Sequence, residues 1–199
     1  MFSKDLFLAW ADLTPSSNCR RLSLMANAIF LTGHPGSGKT TLIRRLVERL
    51  NRPVGGFFTQ ELRAGHVRKG FEIITLDGRR GILAHVAIQS RQRVGKYGVD
   101  LAVLDRLAVA SIRAAVQGAG QRGIVVIDEI GPMEMLSQNF CDAVLEALDS
   151  PAGVLGTIVQ RSTPFGDQIK RRPDINLIEV RRDNRDELLD QILLLLETQ

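Results

Sequence analysis

Gly33-His34-Pro35-Gly36-Ser37-Gly38-Lys39-Thr40 is the stretch on which the fold turns. It satisfies G-x-x-x-x-G-K-[ST] in full, the pattern of a phosphate-binding P-loop. Its glycines let the backbone bend around phosphates and bring N–H groups close, where a side chain would obstruct them. The helix expected after it points its positive N-terminal end at the same anion. In this pattern the lysine, Lys39, contacts the β- and γ-phosphates and the Thr40 hydroxyl ligates Mg²⁺. Thr41 is placed to add an α-phosphate contact. His34 and Pro35 read as loop-shaping residues, and His34 is given no acid–base role.

The flanks supply the context this motif requires. Ala28–Thr32 is a short apolar run, as expected of a strand buried on both faces in a parallel sheet. Thr40–Leu50 carries Leu42, Ile43, Leu46, Val47 and Leu50 at helical spacing and ends at Asn51 and Pro53. Gly55–Val86 then changes character: extended runs are punctuated by Gly65, Gly70 and the Asp77-Gly78 pair, a hairpin signal. Two or three antiparallel strands are expected there. Further on, Asp100–Gln117, Ser137–Leu148 and a last helix from about Asn184 read as helices. Asn184 and Glu187 have the spacing of a capping box. Ile124–Asp128, Gly153–Val159 and Asn176–Val180 read as strands. The expected fold is α/β: a three-layer P-loop NTPase fold, with a mainly parallel sheet flanked by helices and an antiparallel hairpin insertion after the first helix.

A second motif points the same way. Ile124-Val125-Val126-Ile127 delivers Asp128 to the carboxyl end of a buried strand, where open α/β sheets bind ligands. Asp128 is the candidate Walker-B aspartate for Mg²⁺. Glu129, one residue on, is the candidate to orient or deprotonate an attacking water. Asp128-Glu129-Ile130-Gly131 also fits the D-x-x-G of switch GTPases. The Asn-Lys-x-Asp element that would read guanine has only a shifted approximation in Asn184-Arg185-Asp186, which argues against a dedicated GTPase. Charge on a transferred phosphoryl group needs a further cation. Arg161, Lys96, Lys170, Arg171 and Arg172 are the candidates.

Composition bounds the rest. The chain has 199 residues, 44% hydrophobic and 24% charged, which suits one compact domain. Residues 25–199 read as that domain. Met1–Leu24 read as a disordered extension, with Met25 as an alternative start. The net charge is +4, concentrated between Gln60 and Lys96, where eight Lys and Arg face three acids. Such a field attracts phosphates or nucleic acid, or forms a solvated rim. Two cysteines, Cys19 and Cys141, show neither metal-ligand spacing nor a disulfide framework, which favours the cytoplasm. No apolar run reaches the ~18 residues of a membrane span. A monomer is favoured over an oligomer.

Read together, Gly33–Thr40, Gly55-Gly56-Phe57-Phe58-Thr59, Gly70-Phe71, Gly95-Lys96-Tyr97, Ile127 through Glu134, Gly156-Thr157-Ile158 and Asn184-Arg185 resemble the THEP-type nucleoside-triphosphatases. The likeness runs in order from about Ala28 to the final helix; Met1–Leu24 depart from it. The resemblance implies a RecA-like P-loop core and Mg²⁺-dependent hydrolysis of several triphosphates with weak base preference. It also implies that Gly33–Thr40 and Ile124–Gly131 bind the nucleotide.

Three function classes follow. A nucleoside-triphosphate hydrolase is favoured by Glu129 and by the resemblance. A P-loop kinase would use Phe165–Asp174 as an arginine-bearing lid and the Gly55–Val86 hairpins to hold an acceptor nucleoside, nucleotide or nucleic-acid end. A nucleotide-switched nucleic-acid-binding module ranks third, because Trp10 and Tyr97 are the only Trp and Tyr available for base stacking.

Overall fold

The computed structural model describes residues 26–120 and 123–197. The readings of Met1–Leu24 as an extension and of Met25 as a start lie outside them. Among the described residues, nine strands form one sheet in the order β5-β6-β4-β3-β2-β7-β8-β1-β9. Strands β1 (Ala28–Thr32), β7 (Ile124–Ile130), β8 (Gly153–Ile158) and β9 (Ile175–Glu179) run parallel, and the first half of β2 (Val54–Ala64) joins them.

The alternating directions of strand side chains explain why the apolar runs of β1 and β7 are unbroken. Ala28 and Phe30 of β1 and Val125 and Ile127 of β7 face one side. There they pack with Phe57, Leu104, Ile112, Phe140 and Val144. Ile29, Leu31, Ile124 and Val126 face the other side, against Leu42, Ile43, Leu46, Leu188, Ile192 and Leu196. The first layer comes from helix α2 and helix α3 (Gln138–Leu148), the second from α1 (Lys39–Arg49) and α5 (Arg185–Glu197). Helix α2 is α-helical over Leu101–Leu104 and Ala110–Ala119, with a π-helical segment over Asp105–Val109 between them. Asp100 caps it by accepting the Val103 N–H at 3.0 Å. Asp105, in the π segment, accepts the Ser137 hydroxyl at 2.6 Å and the Asn139 amide at 2.7 Å, tying α2 to the start of α3.

The hairpin region departs from the expected insertion in one respect. Val54–Phe58 pair in parallel with β7, and from Phe57 onward β2 pairs on its other edge with antiparallel β3 (Val67–Thr75). The Asp77-Gly78 turn leads into β4 (Arg80–His85), followed by the short β5 (Arg93–Val94) and β6 (Tyr97–Val99). The antiparallel strands therefore lengthen the main sheet, because β2 outruns its parallel partner and offers a free edge to its own return strand.

The capping-box reading is corrected and a helix is added: Pro164–Lys170, in the segment that the kinase alternative would use as a lid, forms a short helix, α4. Its signal was Thr163-Pro164: the Thr163 hydroxyl accepts the Gly166 N–H at 3.2 Å, and proline suits the first helical turn. Asn184 turns its side chain back to the preceding loop, with Oδ1 accepting the Arg181 N–H at 2.8 Å and Nδ2 donating to the Glu179 carbonyl at 3.0 Å. Competing loop donors and acceptors thus take the groups a capping box would use. Among the described residues, no helix is long and apolar enough to cross a membrane.

Phe57 joins β2 to the α3 layer, with its ring edge-on to Phe140 at 6.1 Å between centroids. Phe57→Ala should lower stability by about 3–5 kcal/mol, as expected for emptying a fully buried aromatic site. Urea denaturation checks this, and a loss below about 1 kcal/mol would mean that this layer is not closely packed.

Candidate active site

β1, buried along its whole length, ends at Thr32 and releases the glycine loop at the carboxyl edge of the sheet. Two glycines are dictated by close approach. A Cβ on Gly33 (φ 134°) would lie 2.5 Å from the Val180 carbonyl oxygen. Gly38 (φ 99°) is the N-cap of α1 and has Arg185 Cδ only 2.9 Å from where a Cβ would stand. With a glycine N-cap and no acid in its first turn, α1 leaves its N–H groups and positive end open to an anion. Lys39 Nζ donates to the carbonyls of Gly33 at 2.9 Å and His34 at 3.2 Å, so the ammonium lies across the mouth of the loop. His34, Pro35, Gly36 and Thr41 are exposed; Ser37 is buried, with no partner for its hydroxyl.

Of the second motif, Ile124–Ile127 and Ile130 belong to the core. Asp128 is 1% exposed. Its Oδ1 accepts the Thr157 hydroxyl of β8 at 2.7 Å, while Oδ2 has no partner. Burial raises its proton affinity; the Thr157 hydrogen bond, the nearby Thr40 hydroxyl and the charges of Arg44 and Lys39 oppose that rise. Glu129 faces a cleft of about 280 Å³ lined by Gly33, Pro35, Lys39, Glu129, Val159, Gln160 and Arg161. Burial, then the charge of Asp128, raises its pKa, and Lys39 lowers it. The Asp128–Glu129 peptide bond is cis. A larger hollow, about 350 Å³, lies between β2, the Asp77 turn and α2 and contains none of these residues.

The cleft therefore unites Lys39 and Glu129 with one of the candidate cations, Arg161. Lys170 supports the Arg161 loop from α4, donating to the carbonyls of Gln160 at 3.1 Å and Arg161 at 3.3 Å. Arg172 is engaged with Asp174 at 2.7 Å and Asp149 at 2.8 Å. Arg171 is exposed at the end of α4, and Lys96 lies 5.5 Å from the centre of the Tyr97 ring. Much of the basic run is compensated within the sheet: Arg63 and Arg68 pair with Glu61, Arg79 with Asp77, and Arg80 with Glu72.

Three residues at the site had no assigned role on the sequence: Thr157, Glu134 and Arg185. Thr157 does carry a signal, a hydroxyl in an otherwise apolar strand. Glu134 carries none, because a glutamate just past a Gly-Pro turn looks like surface. It is only 5% exposed. Its Oε2 lies 2.8 Å and Glu129 Oε1 3.3 Å from the point where a Cβ on Gly131 would stand, so both carboxyls converge on that glycine. Burial and the charge of Glu129 push the Glu134 carboxyl up to about 8, against the backbone N–H groups of Glu134 and Gly131.

Among the described residues, no group of three or more His, Cys, Asp or Glu side chains is placed to hold a metal. The unpartnered Asp128 Oδ2 and the nearby Thr40 hydroxyl fit a hard cation that draws its remaining ligands from water and phosphate.

Known proteins resemble this chain over most of its length. A family model described as NTPase matches residues 28–193. Nucleoside-triphosphatase THEP1 of Thermotoga maritima is 46% identical over 169 residues, covering 85% of this chain and 95% of that protein. The human cancer-related nucleoside-triphosphatase is 44% identical over 183 residues, covering 85% and 96%. The crystal structure of THEP1 from Aquifex aeolicus superposes with a TM-score of 0.78 at 40% identity, over 85% of this chain and 99% of that one.

The Glu134 carboxyl holds its proton more tightly in the folded chain than in the unfolded chain, where a pKa near 4.5 applies. Its contribution to stability is therefore complete below pH 4.5 and is lost as pH rises through about 8. One such proton corresponds to about 1.4 kcal/mol per pH unit inside that window. Glu134→Gln should flatten the fall in stability between pH 5 and 8, measured by urea unfolding without nucleotide. Equal slopes in both proteins would show that Glu134 does not titrate there.

Proposed function

We propose the following mechanism from the premise that this chain belongs to the NTPase family and hydrolyses nucleoside triphosphates to diphosphate and phosphate. The triphosphate lies in the Gly33–Thr40 loop, against the positive end of α1. Lys39 leaves the carbonyls of Gly33 and His34 and takes up the β- and γ-phosphates. Thr40 and the unpartnered Oδ2 of Asp128 would hold Mg²⁺, while the Thr157 hydroxyl occupies the other carboxylate oxygen. Bound there, Mg²⁺ would supply positive charge against the negative charge of the triphosphate.

Glu129 orients a water in line with the γ-phosphorus and accepts its proton. As the water oxygen bonds to phosphorus, the bond from phosphorus to the β,γ-bridging oxygen breaks and the diphosphate carries off the electron pair. Burial and the charge of Asp128 raise the proton affinity of Glu129, which suits a general base, and the charge of Lys39 opposes that rise. Arg161 stabilises charge on the departing phosphoryl group. The observation that carries this reading is the single cleft lined by Lys39, Glu129 and Arg161, with Asp128 buried behind it.

All these groups come from one chain, which supports a monomer as the working unit. The cleft meets the phosphate end of the substrate, and broad acceptance of ATP, GTP, CTP and UTP follows from that. A cytoplasmic setting accords with the free thiol of Cys141.

Phosphate release from the four triphosphates with Mg²⁺ tests the reading. Turnover on all four is expected without an added acceptor. Glu129→Gln should retain nucleotide binding and lose about 10²–10⁴-fold in rate. Arg161→Ala should lose about 10²–10³-fold in kcat, the scale of removing one charge-stabilising donor. A Glu129→Gln enzyme with the normal rate, or release that depends on an acceptor, would overturn it.

A further inference from the structure

We infer that Arg185 binds the α-phosphate of the nucleotide, an assignment that rests on the P-loop reading above. Three observations carry it. The first is position. Across the sheet order β7-β8-β1-β9, Asp128 and Glu129 belong to β7, Arg161 follows β8, the glycine loop follows β1, and Arg185 follows β9 at the start of α5. The groups that act on the γ-phosphate thus all lie on one side of the loop, and Arg185 lies on the other. A triphosphate whose γ end points toward β7 and β8 runs its α end toward β9.

The second is contact. A Cβ on Gly38 would stand 2.9 Å from Arg185 Cδ and 3.0 Å from Nη1, so the arginine lies directly against the glycine that caps α1. Only glycine lets it come so near the backbone N–H groups that gather phosphate.

The third is electrostatics. The guanidinium sits at the positive ends of two helices, α1 and its own α5, where a cation is disfavoured unless an anion joins it. Its Nε is buried with no hydrogen-bond partner. Of the two acids in the first turn of α5, Asp186 directs its carboxylate to Arg45 at 2.7 Å and Glu187 accepts the Gln191 amide at 2.8 Å. Neither is a hydrogen-bond partner of Nε, although the charge of Arg185 is felt at Asp186. A phosphate at this point supplies the missing partner to Nε and offsets the charge, and guanidinium geometry suits phosphate oxygens.

The α-phosphate is present in substrate, transition state and product alike. Arg185 is therefore a binding residue whose loss raises KM and leaves kcat nearly unchanged. The test is calorimetric binding of ADP and of inorganic tripolyphosphate, each with Mg²⁺, to wild-type, Arg185→Ala and Arg185→Lys protein, beside ATPase kinetics. Arg185→Ala should weaken both ligands by about 10- to 100-fold, the range for hydrogen bonds to a charged group. KM for ATP should rise by a similar factor, with kcat within about twofold. Arg185→Lys should recover part of the affinity, since it keeps the charge and lacks Nε. Melting without ligand shows whether the variants fold.

Unchanged ADP affinity in folded Arg185→Ala would overturn the assignment and leave the P-loop reading standing. So would a loss confined to ADP and absent for tripolyphosphate, which would move the contact to the nucleoside. Wild-type protein that binds neither probe would overturn the P-loop reading and the assignment with it.

Discussion

The burial of β1 between β8 and β9, with a helix layer on each face, is the constraint on which the remaining structure depends. Ala28 and Phe30 are committed to one core, and Ile29 and Leu31 to the other. A slip of one residue would exchange the two sets, so the register of β1 is strongly determined. That register fixes where Gly33 emerges beside the Val180 carbonyl, and hence where α1 begins. Parallel neighbours deliver Asp128, Thr157 and the Arg161 loop to the same edge, because all parallel strands end on the same side of a sheet.

This edge concentrates charge that a stable fold would otherwise avoid. Asp128, Glu129 and Glu134 are gathered within a short distance and desolvated, and each has a raised proton affinity. Opposite them, Lys39, Arg161 and Arg185 line the loop and its flanks. Lys39 is near enough to lower the proton affinity of Asp128 and Glu129, and it shares one cleft with Glu129 and Arg161. Thr157 adds rigidity, since its hydroxyl leaves the Asp128 carboxylate one defined orientation.

The antiparallel half of the sheet plays a different part. Its arginines are largely spent on Glu61, Glu72 and Asp77, which lowers the field that the bare charge count suggested. Pairing of this kind is invisible in composition: Arg68–Glu61 and Arg80–Glu72 depend on which residues face each other across β2, β3 and β4, while Arg63–Glu61 and Arg79–Asp77 join residues two apart. The same holds for Arg172, which looks like a free cation in Lys170-Arg171-Arg172 and is held by Asp149 and Asp174.

The features made of contiguous residues were legible in the chain alone: the eight residues of the glycine loop, the apolar run ending in Asp128-Glu129, and the alternation of strands and helices that implies a parallel sheet. Backbone bending, strand burial and helix periodicity are local properties, and local properties are written in order along the chain. Tertiary structure alone decided that β2 serves both halves of the sheet, that Arg161 rather than Lys96 or Arg172 reaches the cleft, that Glu134 is buried against Glu129, and that Arg185 lies on Gly38. These depend on strand order and on which loops share an edge. Such long-range neighbourhoods are set by packing of the whole core, and no short stretch of sequence carries them.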